Sequence, residues 1–301
     1  MIQKTRKRNS IIVDDKRNLE ELNIRTLRDE SFLIYDSGAE TEDRIVILAT
    51  QNNLCHLQNS KVLIADGTFK VCPKEFHQLY VFHGTLASSV YPLVFILLKS
   101  KKEADYLRAF SKVVENCLNF PEIIVIDFEI AAYVAFKKAT KSKIYFCLFH
   151  FGQIIWRKLQ KLGLSSEFLK NRRFRFFIKC ITSLAFVPVD KVEFEYKKLL
   201  KESETFKNLD LTSFFSYFEK NYLKGIKYPL ASWNAHQRVI EGIPLTSNSA
   251  EVYNRHFNAK FIQCHPGLTT FFTKLRINQS SVENDIEHRL SNLQTIRNTK
   301  C

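Results

Sequence analysis

The chain has 301 residues, 45% of them hydrophobic and 25% charged, with 26 phenylalanines against 8 glycines, a balance that excludes a low-complexity or disordered chain. Lys and Arg exceed Asp and Glu by 45 to 31, giving a net charge of +14; such a surplus points to a polyanionic partner, most often nucleic acid, with an ordinary basic protein kept soluble by its charge as the alternative. No apolar stretch is long enough to span a membrane, the first residues lack a signal-peptide centre, and seven scattered cysteines without a CxxC pair exclude a disulfide framework, so a reducing intracellular setting without a membrane partner is expected.

Residues 1–60 read as an N-terminal arm and lead-in elements. The first 30 or so are charged and weakly periodic, and the run Lys4-Thr5-Arg6-Lys7-Arg8 is either a nuclear-import signal or a solvated tail. Phe32–Asp36 predicts a short strand, and Arg44–Thr50 a strand running into a helix. Residues 61–164 form the regular core: strands over 62–70, 78–86 and 91–98, a helix over 103–118 stopped by Pro121, a strand over 123–127, a helix over 131–139, a strand over 144–149 and a helix over 152–161 ending at Gly163. Residues 165–245 predict a helical insertion, with helices over 167–184, 189–203 and 211–224. Phe174, Phe176 and Phe177 are read mainly as core, and Trp233 as an anchor. Residues 246–301 supply C-terminal helices that complete the core, one capped by Thr246 or Ser247, another over 268–280, then a polar helix or tail.

Three hairpin-linked strands, then a helix, a strand, a helix and a strand, predict an α/β fold of the ribonuclease H-like kind: a mixed sheet with a helical insertion before the last catalytic acid. In that layout the strands ending near Asp66 and Asp127 are neighbours. Each aspartate ends an apolar run, Val62-Leu63-Ile64-Ala65-Asp66 and Ile123-Ile124-Val125-Ile126-Asp127. Two carboxylates on hydrophobic strands are costly to bury without a cation between them, which points to a divalent metal and metal-assisted phosphoryl transfer.

Ordered along the chain, Asp66-Gly67-Thr68-Phe69, Phe76-His77-Gln78-Leu79-Tyr80, His83-Gly84, Pro92-Leu93-Val94, Asp127-Phe128-Glu129, Cys147-Leu148-Phe149-His150-Phe151 and Thr246-Ser247-Asn248-Ser249-Ala250-Glu251-Val252-Tyr253-Asn254 resemble the transposase domain of Mutator-like elements, the MULE family, from about residue 30 to about 270. The resemblance implies an Asp-Asp-Glu triad of Asp66, Asp127 and Glu251, holding Mg²⁺ or Mn²⁺ for DNA strand cleavage and strand transfer. Glu241, Glu283, Asp285 and Glu287 compete with Glu251 on sequence alone. It also implies DNA as partner and admits a homo-oligomer; a nuclear location is expected on the basic run Lys4–Arg8. The alternative is a domesticated, non-catalytic DNA-binding or regulatory protein that keeps the fold.

Cys147-x-x-His150 is half a zinc site by itself. On the resemblance His150 contacts DNA phosphate near the cut or orients a catalytic group; the alternative is a core cysteine with a histidine capping the next helix. His77 and His83 carry less, and Glu129 reads as a cap for the helix that follows. Arg157, Lys158, Lys161, Lys170, Arg172, Arg173, Arg175 and Lys179 are candidates for phosphate contacts, or else a solvated helix face. Relatives commonly carry a zinc-binding DNA module ahead of the core, whereas Cys55-His56 is the only such pairing before Asp66 here. The chain therefore reads as a fragment, a decayed copy or a host-adapted derivative.

Overall fold

A computed structural model describes residues 24–225 and 227–298. The basic run Lys4–Arg8, most of the expected N-terminal arm and Cys301 lie outside the described residues. In chain order the elements are β1 (Leu33–Asp36), β2 (Ile45–Leu48), α1 (Gln51–Gln58), β3 (Val62–Thr68), β4 (Gln78–Leu86), β5 (Ser89–Leu98), α2 (Glu103–Glu115), β6 (Ile123–Ile126), α3 (Ile130–Ala139) and β7 (Lys143–Phe146). They continue with α4 (Leu148–Lys161), α5 (Ser165–Lys170), α6 (Arg172–Ser183), α7 (Val192–Glu202), α8 (Thr212–Phe218), α9 (Leu230–Trp233), α10 (His236–Ile240), α11 (Asn248–Ala259) and α12 (Leu268–Asn298). The strands form one seven-stranded mixed sheet in the order β1-β2-β5-β4-β3-β6-β7.

The chain divides into two compact units. The first takes the described chain up to Ile124, Ala131–Ser142 and the described residues from Asn248 to Asn298; the second takes Val125–Ile130 and Lys143–Ser247. In the first, β3, β4 and β5 form an antiparallel meander whose residues are almost all buried. Burial on both faces explains why these strands read as continuous apolar runs rather than alternating ones.

Alternation along β4 sorts the two faces. Tyr80 and Phe82 point toward α2 and α3, where Tyr106, Phe110 and Phe136 meet them and the Phe110 and Phe136 rings stack 4.0 Å apart. Leu79 and Val81 point the other way, into a core shared with Phe95, Leu97, Phe257, Phe271, Phe272 and Leu275. Asp66 pairs in register with Val81. Directly opposed residues share a face, so Asp66 lies on the side covered by α11 and α12.

The second unit is held by aromatic packing. Trp233 is buried, stacks on Phe151 at 4.9 Å, and donates its indole N–H to the Tyr222 carbonyl at 3.1 Å. That is the anchoring role expected of it.

Several element boundaries differ from expectation. The helix expected over 167–184 breaks at Asn171, whose side chain caps α6 by accepting from Arg173 N at 3.0 Å and Phe174 N at 3.1 Å. The helix expected over 268–280 runs on to Asn298, the polar C-terminal stretch continuing it. The last core strand stops at Phe146 and α4 begins at Leu148, so His150 sits in the first turn of a helix. Phe174 and Phe177 are core as expected, but Phe176 is 67% exposed.

Candidate functional site

Two side-chain constellations stand out, one in each unit. In the first unit, Asp66 near the end of β3 is 6% exposed. Its Oδ1 accepts from the Gly67 N–H at 2.9 Å, and its Oδ2 from the Asn254 side-chain amide at 2.6 Å. Hydrogen bonds to a carboxylate are among the strong ones and partly replace lost water. Asn254 belongs to α11, where Glu251, Asn254, Arg255 and Asn258 recur at helical spacing and form one polar stripe. The opposite stripe, Ala250, Tyr253 and Phe257, faces apolar neighbours, with Phe257 in the core and Tyr253 against it. Amphipathicity therefore fixes which way Glu251 looks.

The polar stripe and the end of β3 enclose a recess of about 470 Å³, lined by Asp66, Gly67, Thr68, Lys70, Glu251, Asn254, Arg255, Asn258 and Ala259. Asp66 and Glu251, 185 residues apart by their numbers, thus line one cavity. The donor set suits a hard cation: two carboxylates, the Thr68 hydroxyl and side-chain amide oxygens. Asn254 Oδ1 is buried and accepts no hydrogen bond among the described residues, so an acceptor is available there for an electropositive guest. Lys70 and Arg255 add positive charge to the lining. Asn254, Arg255 and Lys70 had no role from sequence, although the i,i+3 spacing of Asn254 from Glu251 was a signal for it.

In the second unit, Asp127 follows β6 and His150 sits in the first turn of α4, with His150 Nδ1 2.8 Å from Asp127 Oδ1. Cys147 occupies the N-cap position of α4 without a side-chain capping bond and is fully buried. Donor atoms of Asp127, Cys147 and His150 all lie within 4.8 Å of one another. The backbone joins them, since the Cys147 N–H donates to the Ile126 carbonyl at 2.7 Å. Ser247 donates to Cys147 Sγ twice, from its backbone N–H at 3.4 Å and its hydroxyl at 3.3 Å. Ser247, one of the two residues expected to cap the following helix, directly precedes α11 and also serves the sulfur.

Electrostatics in this cluster are strongly perturbed. Burial works against a charged His150, but hydrogen bonds and charge from Asp127 and Cys147 outweigh it and raise the imidazole to about 10. Burial likewise works against a Cys147 thiolate, but hydrogen bonds from His150 and Ser247 prevail and bring the thiol below its ordinary value. Arg238 is fully buried, donating to the Phe146 carbonyl at 2.9 Å and to the Pro244 carbonyl. Burial lowers its guanidinium to about 10. Arg238 had no role from sequence, and Ser247 was expected only as one of two candidate helix caps.

Residues 62–153 match the MULE transposase domain. The match opens at β3 and closes within α4, so it takes in Asp66, Asp127, Cys147 and His150 and ends well before Glu251. A MULE transposase domain implies interaction with DNA. Curated proteins give no match to the chain. No helix among the described residues is long and apolar enough to cross a membrane.

The cationic candidates all fall in the second unit. Arg157, Lys161, Lys170, Arg172, Arg173 and Lys179 are exposed, and Lys158 and Arg175 half-buried. On α6, Phe174, Phe177, Ile178 and Ile181 are buried, leaving Arg172, Arg173, Arg175, Phe176 and Lys179 on the opposite side of the helix. Lys158 lies 4.8 Å over the Tyr217 ring and Arg173 5.8 Å over Phe206.

Proposed function

We propose that the chain is the catalytic domain of a DNA transposase that cuts and joins DNA strands with the help of Mg²⁺ or Mn²⁺. The observation that carries this reading is that Asp66, within a segment matching a MULE transposase domain, shares an oxygen-lined recess with Glu251. The strand sequence β5-β4-β3-β6-β7 supports a ribonuclease H-like core. Asp127 enters as the third carboxylate on the order of the acids in the family pattern. Action in the nucleus belongs to the same proposal and rests on the basic run near the N-terminus.

Asp66, Asp127 and Glu251 would hold the divalent cations, which would supply Lewis-acid activation of a water or DNA 3′-hydroxyl nucleophile and charge stabilisation of the departing 3′-oxygen. The protein's own contribution is positional. Asp66 and Glu251 supply the anionic oxygens, and Asn254 fixes the Asp66 carboxylate through its amide hydrogen bond. Lys70 and Arg255 attract a phosphodiester toward the recess. The exposed cations of α4 and α6 hold the duplex by its phosphates.

The test uses the purified full chain on supercoiled plasmid and short duplexes. Nicking or joining should require Mg²⁺ or Mn²⁺, and Asp66→Asn should reduce it by roughly a hundredfold or more while sparing DNA affinity in a gel-shift measurement. Nicking by the Asp66→Asn protein at the parental rate would remove the metal role of that residue. Tight DNA binding by a parent that never nicks would instead favour a non-catalytic, domesticated protein.

A further inference from the structure

We propose that Asp127, Cys147 and His150 form a binding site for a borderline-soft transition metal, zinc foremost, with three protein ligands and an open fourth position. This proposal does not rest on the transposase reading. Its first support is donor type: a carboxylate oxygen, an imidazole nitrogen and a cysteine sulfur within 4.8 Å of one another. Zn–S near 2.3 Å and Zn–N or Zn–O near 2.0 Å, arranged tetrahedrally, put ligand atoms about 3.5 Å apart. His150 Nδ1 and Asp127 Oδ1 are in direct contact at 2.8 Å, so a bound metal would replace that ion pair and open it to this spacing. Magnesium suits it poorly, because that ion prefers an all-oxygen shell.

The second support is how the ligands are held. Cys147 and His150 occupy the N-cap and the third position of α4, the two ends of a single helical turn, and Asp127 directly follows β6. The Cys147 N–H bound to the Ile126 carbonyl at 2.7 Å and the Leu148 N–H bound to the Leu245 carbonyl at 2.8 Å fix this turn. Ligands on regular elements tied together by backbone bonds are pre-positioned.

The third support surrounds the sulfur. A metal takes the thiolate, and hydrogen-bond donors aimed at sulfur favour that form. Ser247 aims both its N–H and its O–H at Cys147 Sγ. Arg238 brings a fully buried positive charge and donates to the neutral carbonyls of Phe146 and Pro244. A core cysteine serving only to fill space has no use for such a setting. Finally, the His150 and Asp127 side chains are 22% and 35% exposed while Cys147 is sealed. That gives an entry path and leaves a side for a water molecule or another exogenous ligand. The site engages one oxygen of Asp127 and leaves its other oxygen for a second cation.

The experiment is metal analysis of the full chain, purified without chelator or metal-affinity resin, by inductively coupled plasma mass spectrometry. Equimolar zinc is expected. After exchange with Co²⁺, a thiolate-to-cobalt charge-transfer absorption should appear, and Cys147→Ser should abolish it. His150→Gln should weaken zinc affinity tenfold or more, in a competition titration against a chromogenic chelator. Ser247→Ala, which leaves every ligand in place, should weaken zinc less than either ligand variant and guards against misfolding in Cys147→Ser. A folded parent that binds neither zinc nor cobalt with these signatures overturns the proposal. So does zinc affinity unchanged in both ligand variants. None of these readouts depends on DNA cleavage, so they stand apart from the test of Asp66.

Discussion

His83 shows how much a single buried side chain reveals once its surroundings are known. In sequence it was one of several histidines near the first aspartate and carried no firm role. In the fold it is fully buried, its Nδ1 lies 3.3 Å from the Ile64 carbonyl, and its ring meets Tyr253 edge-on at 5.2 Å. Burial lowers the imidazole to about 4, well below its ordinary 6.5. The folded state therefore binds fewer protons than the unfolded chain between those values. The contribution of neutral His83 is complete above pH 6.5 and is lost as pH falls toward 4, by at most about 1.4 kcal/mol per pH unit. In chemical denaturation across that window, His83→Gln should lose stability less steeply with acid than the parent. Equal slopes would remove His83 from the acid response. The candidate site was legible in the same uneven way. Asp66 and Asp127 announced themselves because a charge ending an apolar run is rare and expensive. Asn254, Ser247 and Arg238 did not, since their roles come from partners 188, 100 and 92 residues away.

At the scale of elements, hydrophobic pattern was enough where a strand or helix has a dominant buried face. The meander β3-β4-β5 and the helices α2 and α3 follow from runs and periods that local sequence carries. Boundaries failed where a polar side chain could serve either the surface or the backbone. Asn171 sits in a stretch that reads as continuous helix, yet its oxygen takes two backbone donors and starts α6 anew. An asparagine inside a helical pattern competes for backbone hydrogen bonds and favours caps, so the break has a local cause. Asn171→Ala should cost about 1 kcal/mol of unfolding free energy, and Asn171→Gly only a few tenths. Urea unfolding followed by far-UV circular dichroism checks this, and an Ala variant as stable as the parent would show that the cap contributes nothing. At the far end of the chain, α12 carries a polar sequence whose length pattern alone could not fix. Contacts from outside the helix help to hold it, as where Arg28 reaches Asn284 and Glu287.

At the scale of the whole molecule the net charge of +14 decides how DNA should be held. Binding through phosphates releases counterions, so affinity falls with salt on a logarithmic scale by about 0.9 per phosphate contact on B-form DNA. The spread of exposed cations over α4, α5 and α6 is compatible with several contacts, while a merely solvated face would give none. These readings differ in slope rather than in affinity at one salt concentration. Charge reversal at Arg172, Arg173 and Arg175 targets one side of α6, away from the buried stripe of Phe174, Phe177, Ile178 and Ile181 that holds the helix in place. Because Arg173 also lies over Phe206 and Arg175 donates to the Leu169 carbonyl, far-UV circular dichroism first checks that the fold survives. If all three arginines touch phosphate, the slope should flatten by up to about 2.7, and affinity at low salt should fall with it. Reversal at Lys137, an exposed cation on α3 in the other unit, should leave the slope nearly unchanged. Fluorescence anisotropy across a salt series reads both outcomes. Parallel lines for the parent and the triple variant would clear α6 of any part in DNA binding, because long-range attraction to a basic protein shifts affinity without removing specific contacts.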